Sequence, residues 1–173
     1  GKGSQIWQIS SYNENWVYFA NQNGMLQYDG NEWIQNKLKN NSAVRSVYTS
    51  NAQKRIYTGG INEFGYFEPD INGKLSYKCL SESLDLTESN LGNIWGIFET
   101  DNIMYFVGDT RLIKLINDKY TIIDADCKID CSGLINGVLY LGTDKGIMLL
   151  VGNTLFPLQN GEVLTTKRIR GIL

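Results

Sequence analysis

Histidine is absent from all 173 residues. That removes His-dependent nucleophile triads, imidazole general bases and His-ligated metal sites together. Basic charge is scarce too: 16 Lys and Arg stand against 18 Asp and Glu, a formal net charge of −2. Without a cationic excess to displace counterions from a phosphate backbone, the composition argues against nucleic acid as a partner. Long apolar runs are missing. The longest is Ile147-Met148-Leu149-Leu150-Val151, far short of the roughly 20 residues of a spanning helix, so no membrane insertion by this segment is expected. The start, Gly1-Lys2-Gly3-Ser4, carries no secretory leader. That leaves a cytoplasmic protein, or an exported one whose leader lies outside these residues. Only 3 cysteines occur, Cys79, Cys127 and Cys131, an odd number, so at least one thiol is free or pairs with another chain. No His or third Cys completes a zinc set around Cys127 and Cys131, and all three are expected as small buried or half-buried residues. No cofactor and no metal is implied.

What the chain does have is turn chemistry. Gly and Asn each occur 18 times and Pro twice, a composition dominated by residues that tolerate positive φ. Between the turns lie short runs rich in Ile, Val, Tyr, Phe and Trp, of strand length and strand composition. No sustained helical periodicity appears; Ser81 to Glu88 predicts at most a helical turn. The runs Val17-Tyr18-Phe19-Ala20, Ile56-Tyr57-Thr58-Gly59, Met104-Tyr105-Phe106-Val107-Gly108 and Leu139-Tyr140-Leu141-Gly142 superpose on their tyrosines, which are 39, 48 and 35 residues apart. About ten residues ahead of each lies another short strand: Ile6-Trp7-Gln8-Ile9, Val44-Arg45-Ser46-Val47, Ile94-Trp95-Gly96-Ile97 and, less closely, Lys128-Ile129-Asp130-Cys131.

Each unit therefore reads as four antiparallel strands. Hairpin signals lie at Asn23-Gly24, Asp29-Gly30, Asn72-Gly73, Asn117-Asp118, Asn136-Gly137 and Gly152-Asn153. A lone meander of about 40 residues cannot bury both faces, whereas meanders set radially beside one another can. A two-sheet sandwich would not repeat one strand pattern in this way. The fold class expected is all-β, a β-propeller with units at about 5–41, 42–92, 93–126 and 127–166. Residues 167–173 then read as the orphan first strand of a fifth unit, so that the chain is a fragment of a larger propeller rather than a small closed ring. A partial propeller exposes strand edges, and a two-fold homodimer covering them is the expected assembly.

The stretch Trp16-Val17-Tyr18-Phe19-Ala20-Asn21 through Gly24-Met25-Leu26-Gln27-Tyr28-Asp29-Gly30 and Trp33 resembles the propeller repeat of two-component regulators. Arg55-Ile56-Tyr57-Thr58-Gly59-Gly60 with Asn62-Glu63-Phe64-Gly65-Tyr66-Phe67 is similar to the second blade of the same sensors. The resemblance covers residues 5–166, and the fourth unit departs from it by lacking an aromatic in its first strand. Such repeats fill the extracytoplasmic sensor regions of hybrid histidine kinases and related regulators, chiefly of gut Bacteroidetes. The resemblance implies a non-catalytic, periplasmic sensor module for a carbohydrate or other small ligand, partnered by the remaining blades and signalling domains of a membrane-anchored parent.

In a propeller the inner strands and the loops joining second to third strands open at one end. The candidate ligand surface is accordingly Arg45 and Trp95 from inner strands, with Asn62, Glu63, Asp109, Arg111, Asp144 and Lys145 from those loops. Arg170, Asn21 and Asn23 share the same logic. Amide, carboxylate and guanidinium groups beside an aromatic plane suit hydroxyl-rich ligands. The plainer reading is that Asn and Asp form the turns, and that Trp7, Trp16, Trp33 and Trp95 pack blades together. Glu63 with Asp109 is the one carboxylate pair this logic places on one end, a weak basis for glycoside hydrolysis. Repeated Asp-box turns of sialidases are absent. Asp124-Ala125-Asp126 reads as a strand end rather than a calcium site. The competing class is a scaffold propeller for protein partners, although the Gly-His and Trp-Asp signature of WD repeats is missing.

Overall fold

Alternating apolar runs and Asn/Gly turns give hairpins throughout. The structure is a computed structural model that describes residues 5–12, 15–71, 74–84, 90–117, 119–164 and 169–172. Among them, sixteen strands form four sheets, each of four strands in sequential antiparallel order. The first sheet holds β1 (Ile6–Tyr12), β2 (Trp16–Asn21), β3 (Gly24–Tyr28) and β4 (Trp33–Asn36). The second holds β5 (Ser46–Ser50), β6 (Arg55–Gly59), β7 (Phe64–Pro69) and β8 (Leu75–Cys79). The third is β9 (Gly96–Thr100), β10 (Ile103–Val107), β11 (Arg111–Ile116) and β12 (Lys119–Asp124). The fourth is β13 (Ile129–Ile135), β14 (Val138–Thr143), β15 (Gly146–Val151) and β16 (Thr154–Pro157). The fold is all-β, a β-propeller with these sheets as its blades. Helical structure among the described residues is confined to two short 3-10 turns, Ser81–Ser83 and Gly161–Leu164.

The four tyrosines fall on equivalent sites. Tyr18, Tyr57, Tyr105 and Tyr140 are each the third residue of their blade's second strand. Second strands are covered on both faces, so they read as near-continuous apolar runs; fourth strands such as β4 are largely exposed. Burying the Tyr57 ring contributes about 1.5–3 kcal/mol, and its hydroxyl donates to Gln53 Oε1 at 2.6 Å, so no buried polar group is stranded there.

Two expectations shift by a residue or more. The first strands of the second and third blades begin at Ser46 and Gly96, two residues later than Val44 and Ile94. The reason is long-range: the Val44 and Ile94 N–H groups donate to Asn21 O (3.0 Å) and Gly60 O (2.9 Å) of the preceding blade, not to their own sheet. The β2–β3 loop is Gln22-Asn23, with Asn21 paired to Gly24, one residue earlier than the Asn23-Gly24 signal. Asn136-Gly137 forms the hairpin as expected, with φ of 50° and 77° at the two central positions, which only Asn, Asp and Gly adopt readily. Asp101-Asn102 makes a second turn of this kind, with φ of 45° and 65°, that the sequence reading passed over. Asn72-Gly73 and Asp118 lie outside the described residues.

Two compact units divide the chain, Gly1–Ile97 and Phe98–Leu173, with the boundary inside β9. In the first unit the facing surfaces of the first two blades meet through Tyr18, Ala20, Met25, Val44, Val47, Ile56 and Phe67. Their inner strands are also stitched by polar bonds: Val47 N donates to Gln8 Oε1 and Thr49 N to Ser10 Oγ, both at 3.0 Å. In the second unit Val107, Leu112, Ile123, Ile129, Leu139 and Leu141 form the corresponding core.

Candidate functional site

The lead-in to each blade creates the site. In the lead-ins to the second and third blades the first residue, Val44 or Ile94, is fully buried, and Ile94 drops into a notch on the blade before, whereas Ile6 ahead of Trp7 is 46% exposed. A Cβ on Gly59 would stand 2.4 Å from Ile94 Cγ2, and one on Gly142 would stand 2.8 Å from Ile169 Cγ2. Ile169 thus sits on the fourth blade as Ile94 sits on the second, although residues 169–172 form no strand; Lys167, Arg168 and Leu173 of the expected orphan strand lie outside the described residues. With Val44 and Ile94 locked inward, the next residue of each of these two lead-ins projects the other way along the extended chain.

In the first unit that next position is Trp7, Arg45 and Trp95 in three successive repeats. The register supports the equivalence, since the following residues pair as Gln8 with Ala20 and Ser46 with Gly59. The Arg45 guanidinium carbon lies 4.0 Å from the centre of the Trp7 ring and 5.2 Å from that of Trp95. Its Nε donates to Asn93 Oδ1 at 3.0 Å, and its backbone N–H to Gly59 O at 2.7 Å. Stacking over indole faces and a hydrogen bond at one edge fix the plane of the guanidinium. Each such cation–π contact is worth about 0.5–2 kcal/mol. Trp95 keeps 43% of its surface exposed and Arg45 and Trp7 are half-buried, so the row is open to solvent.

The loop residues expected to surround it are used mainly as latches. Asn62, in the left-handed region at φ 56°, accepts from Gly92 N through Oδ1 at 2.7 Å and donates its own N–H to Gly92 O at 2.8 Å. Those bonds, with the bridge between Ile61 and Asn93, set the segment that carries Asn93 and Trp95. Glu63 is only 5% exposed, and its two carboxylate oxygens accept from Lys39 N and Asn40 N at 2.7 and 2.8 Å. Burial pushes the neighbouring Tyr77 phenol well above the tyrosine range, and the Glu63 charge adds to the rise.

In the second unit Asp109, Arg111, Asp144 and Lys145 contact the segment from the end of β12 to the start of β13. Asp109 O accepts Ile129 N (2.8 Å), and Arg111 is ion-paired with Asp124. Asp144 Oδ1 accepts Lys128 N (3.0 Å), and Lys145 Nζ donates to Asp126 O (2.5 Å). Among the described residues no group of three or more His, Cys, Asp or Glu is placed to hold a metal. Arg170 is exposed, while Asn21 is buried and ties Gln5 O to its own turn.

Two contacts of Arg45 lie outside the expected surface. The sequence places Trp7 in blade packing, yet it occupies the same repeat position as Arg45 and Trp95, so the alignment of units holds that signal. Asn93 has no local signal; long-range contacts, the bridge to Ile61 and the Asn62–Gly92 bonds, set the segment that brings it beside Arg45. Trp33 corrects the expectation in the other direction. It is 57% exposed on the outer strand β4 and stacks on Tyr28 with ring centres 4.4 Å apart, so it does not join blades.

Comparison with known proteins places this geometry in a wider setting. No family model matches the chain, and no curated protein does. Solved structures do. The extracellular domain of the hybrid two-component system BT4673 of B. thetaiotaomicron aligns at TM-score 0.75 and 18% identity, over 98% of this chain and 24% of that one. The extracellular domain of the hybrid two-component system BT3049 of the same organism aligns at TM-score 0.66 and 18% identity, over 88% and 23%. A streptogramin B lyase aligns at TM-score 0.64 and 18% identity, over 91% and 56%. The chain thus spans about a quarter of the length of the extracellular-domain structures it matches. The shared property is the propeller fold, which serves unrelated roles.

Proposed function

We propose that this chain is a non-catalytic part of an extracytoplasmic sensor, in a receptor of the two-component type, and that it contributes to recognition of a carbohydrate or other small ligand. The observation that carries the reading is the row Trp7–Arg45–Trp95. Three repeats deliver large, partly exposed groups to one position, where blade packing by itself needs nothing of that size. An indole face beside a fixed hydrogen-bond donor suits a sugar ring. Likeness to the extracellular domains of two hybrid two-component systems supports the sensor role and the extracytoplasmic location. The buried, backbone-bound Glu63 supports a non-catalytic role, since both of its oxygens are already engaged. In this reading further blades and the signalling parts of the parent are its partners.

The test is calorimetric titration of the purified chain with a panel of neutral and acidic oligosaccharides, with tryptophan fluorescence as a second readout. Saturable binding that Trp95→Ala weakens supports the reading. A panel in which no saccharide binds rejects a carbohydrate as the ligand.

A further inference from the structure

The Trp7–Arg45–Trp95 row has a charge that its surroundings leave unbalanced. Arg45 makes no ion pair with any described carboxylate, and only its Nε has a side-chain acceptor, the neutral Asn93 amide. A guanidinium carries five N–H donors. One is used, so the four on the two terminal nitrogens have no partner among the described residues. The arginines Arg55 and Arg111 behave differently: each is paired with a carboxylate of its own blade, Glu68 and Asp124. Arg55 also lies over an aromatic ring, Tyr66 at 4.0 Å, so stacking and pairing coexist there. Stacking therefore does not explain why Arg45 lacks an acid.

We propose that Arg45 is the specificity-determining residue for an anionic group, and that the ligand class is an acidic saccharide bearing a carboxylate or a sulfate next to a ring that lies on Trp95. The inference rests on the sensor reading above and names its ligand chemistry. The physical case has three parts. The stacked rings and Asn93 fix the fork in advance, so little side-chain freedom is lost when an anion docks. A carboxylate or sulfate presents two oxygens at the spacing that a planar guanidinium meets bidentately. Half-burial between indoles lowers the local dielectric, so an arriving anion gains more than it would at a free surface arginine. A neutral sugar satisfies the same donors through hydroxyls, with no charge to balance the cation.

The experiment titrates the full chain with three matched disaccharides: cellobiose, its uronate cellobiouronic acid, and cellobiose sulfated at the same ring. The first arm measures class. An affinity for either acidic form at least tenfold above cellobiose, shrinking as salt is raised, is the expected result; which acidic form binds more tightly distinguishes carboxylate from sulfate. Equal affinities for all three overturn the proposal while leaving the sensor reading intact. No binding by any of the three or by the wider panel overturns the proposal and the carbohydrate reading together. The second arm measures site. Arg45→Gln is expected to weaken all three ligands, the acidic forms at least tenfold more than cellobiose so that the acidic preference is abolished, and Arg45→Lys to restore part of the preference but not the bidentate share. An acidic preference that survives Arg45→Gln assigns the anion site elsewhere and refutes the role of Arg45. Where Arg45→Gln alters the circular dichroism spectrum, Trp95→Ala and Arg45→Lys carry the same comparison.

Discussion

Gly59→Ala isolates the notch that joins the second blade to the lead-in of the third. Gly59 has ordinary strand backbone geometry, so the substitution introduces no φ strain. Its new methyl would lie 2.4 Å from Ile94 Cγ2, 2.5 Å from Ser46 Oγ and 2.6 Å from Ile94 Cβ. Ile94 is fully buried and cannot swing away. Such overpacking costs about 1–3 kcal/mol. Ser46 Oγ donates to Ile94 O at 2.7 Å, and displacing Ile94 puts that buried bond at risk, about 1 kcal/mol more. Against this, Gly→Ala stabilises by about 0.4–1 kcal/mol by stiffening the unfolded chain. The net loss is about 2 kcal/mol, or about 4–8 °C in melting temperature for a chain of this size. Thermal and urea unfolding of Gly59→Ala, Ile94→Ala and the double variant provide the assay. Ile94→Ala removes the obstructing Cγ2 methyl and leaves Cβ, relieving part of the clash at its own cost of about 2–5 kcal/mol. The double variant should then lose at least about 1 kcal/mol less than the sum of the singles. A melting point for Gly59→Ala within a degree of the parent, or strict additivity in the cycle, would refute the notch.

Three further outcomes follow from groups already described. Desolvation, with a smaller contribution from Tyr12, pushes the Tyr18 phenol from 10.0 to about 12; the stability this supplies is complete below pH 10 and is lost as pH rises through 12, so phenolate absorbance of native protein should lag that of denatured protein over this range. Simultaneous titration of all tyrosines in both states contradicts it. Burial raises all three thiols, so Cys79, Cys127 and Cys131 should react slowly with a disulfide reagent at neutral pH until denaturant is added, and a fast native-state burst would oppose that. Glu63→Gln replaces one acceptor with a donor facing a backbone N–H and should cost about 1.5–3 kcal/mol in urea unfolding, whereas a neutral effect would mean that the Lys39 and Asn40 bonds contribute nothing.

Local chemistry was legible in the sequence and long-range geometry was not. The four tyrosines could be aligned because a covered second strand writes itself as a short apolar run with Tyr at a fixed place. Asn136-Gly137 could be read because its backbone demand falls on those two residues alone. The lead-ins failed at Val44 and Ile94, whose composition is that of a strand but whose N–H groups are claimed by another blade. The candidate surface divides the same way. Repeat position in the sequence puts Arg45 and Trp95 on one surface, and the structure places the Arg45 guanidinium carbon 5.2 Å from the centre of the Trp95 ring. The roles of Asn62 and Glu63 depended on Gly92, Lys39 and Asn40, which nothing in the local sequence ties to them. Trp33 shows the limit of composition, since a large aromatic in a repeat can as well cover an outer strand.

The join between blades explains how such a chain drifts in sequence. Its fixed demands are a backbone N–H meeting a backbone carbonyl, as at Val44 with Asn21, Ile94 with Gly60 and Ile129 with Asp109, and one apolar side chain facing a small residue. Neither partner of the hydrogen bond belongs to a side chain, so mutation cannot delete it except through proline. A module joined this way can be copied, and its copies can be rewritten almost freely while the joint persists. Shape then outlasts spelling. A chain with 98% of its length aligned to the extracellular domain of a hybrid two-component system shares 18% of its residues with it and matches no family model.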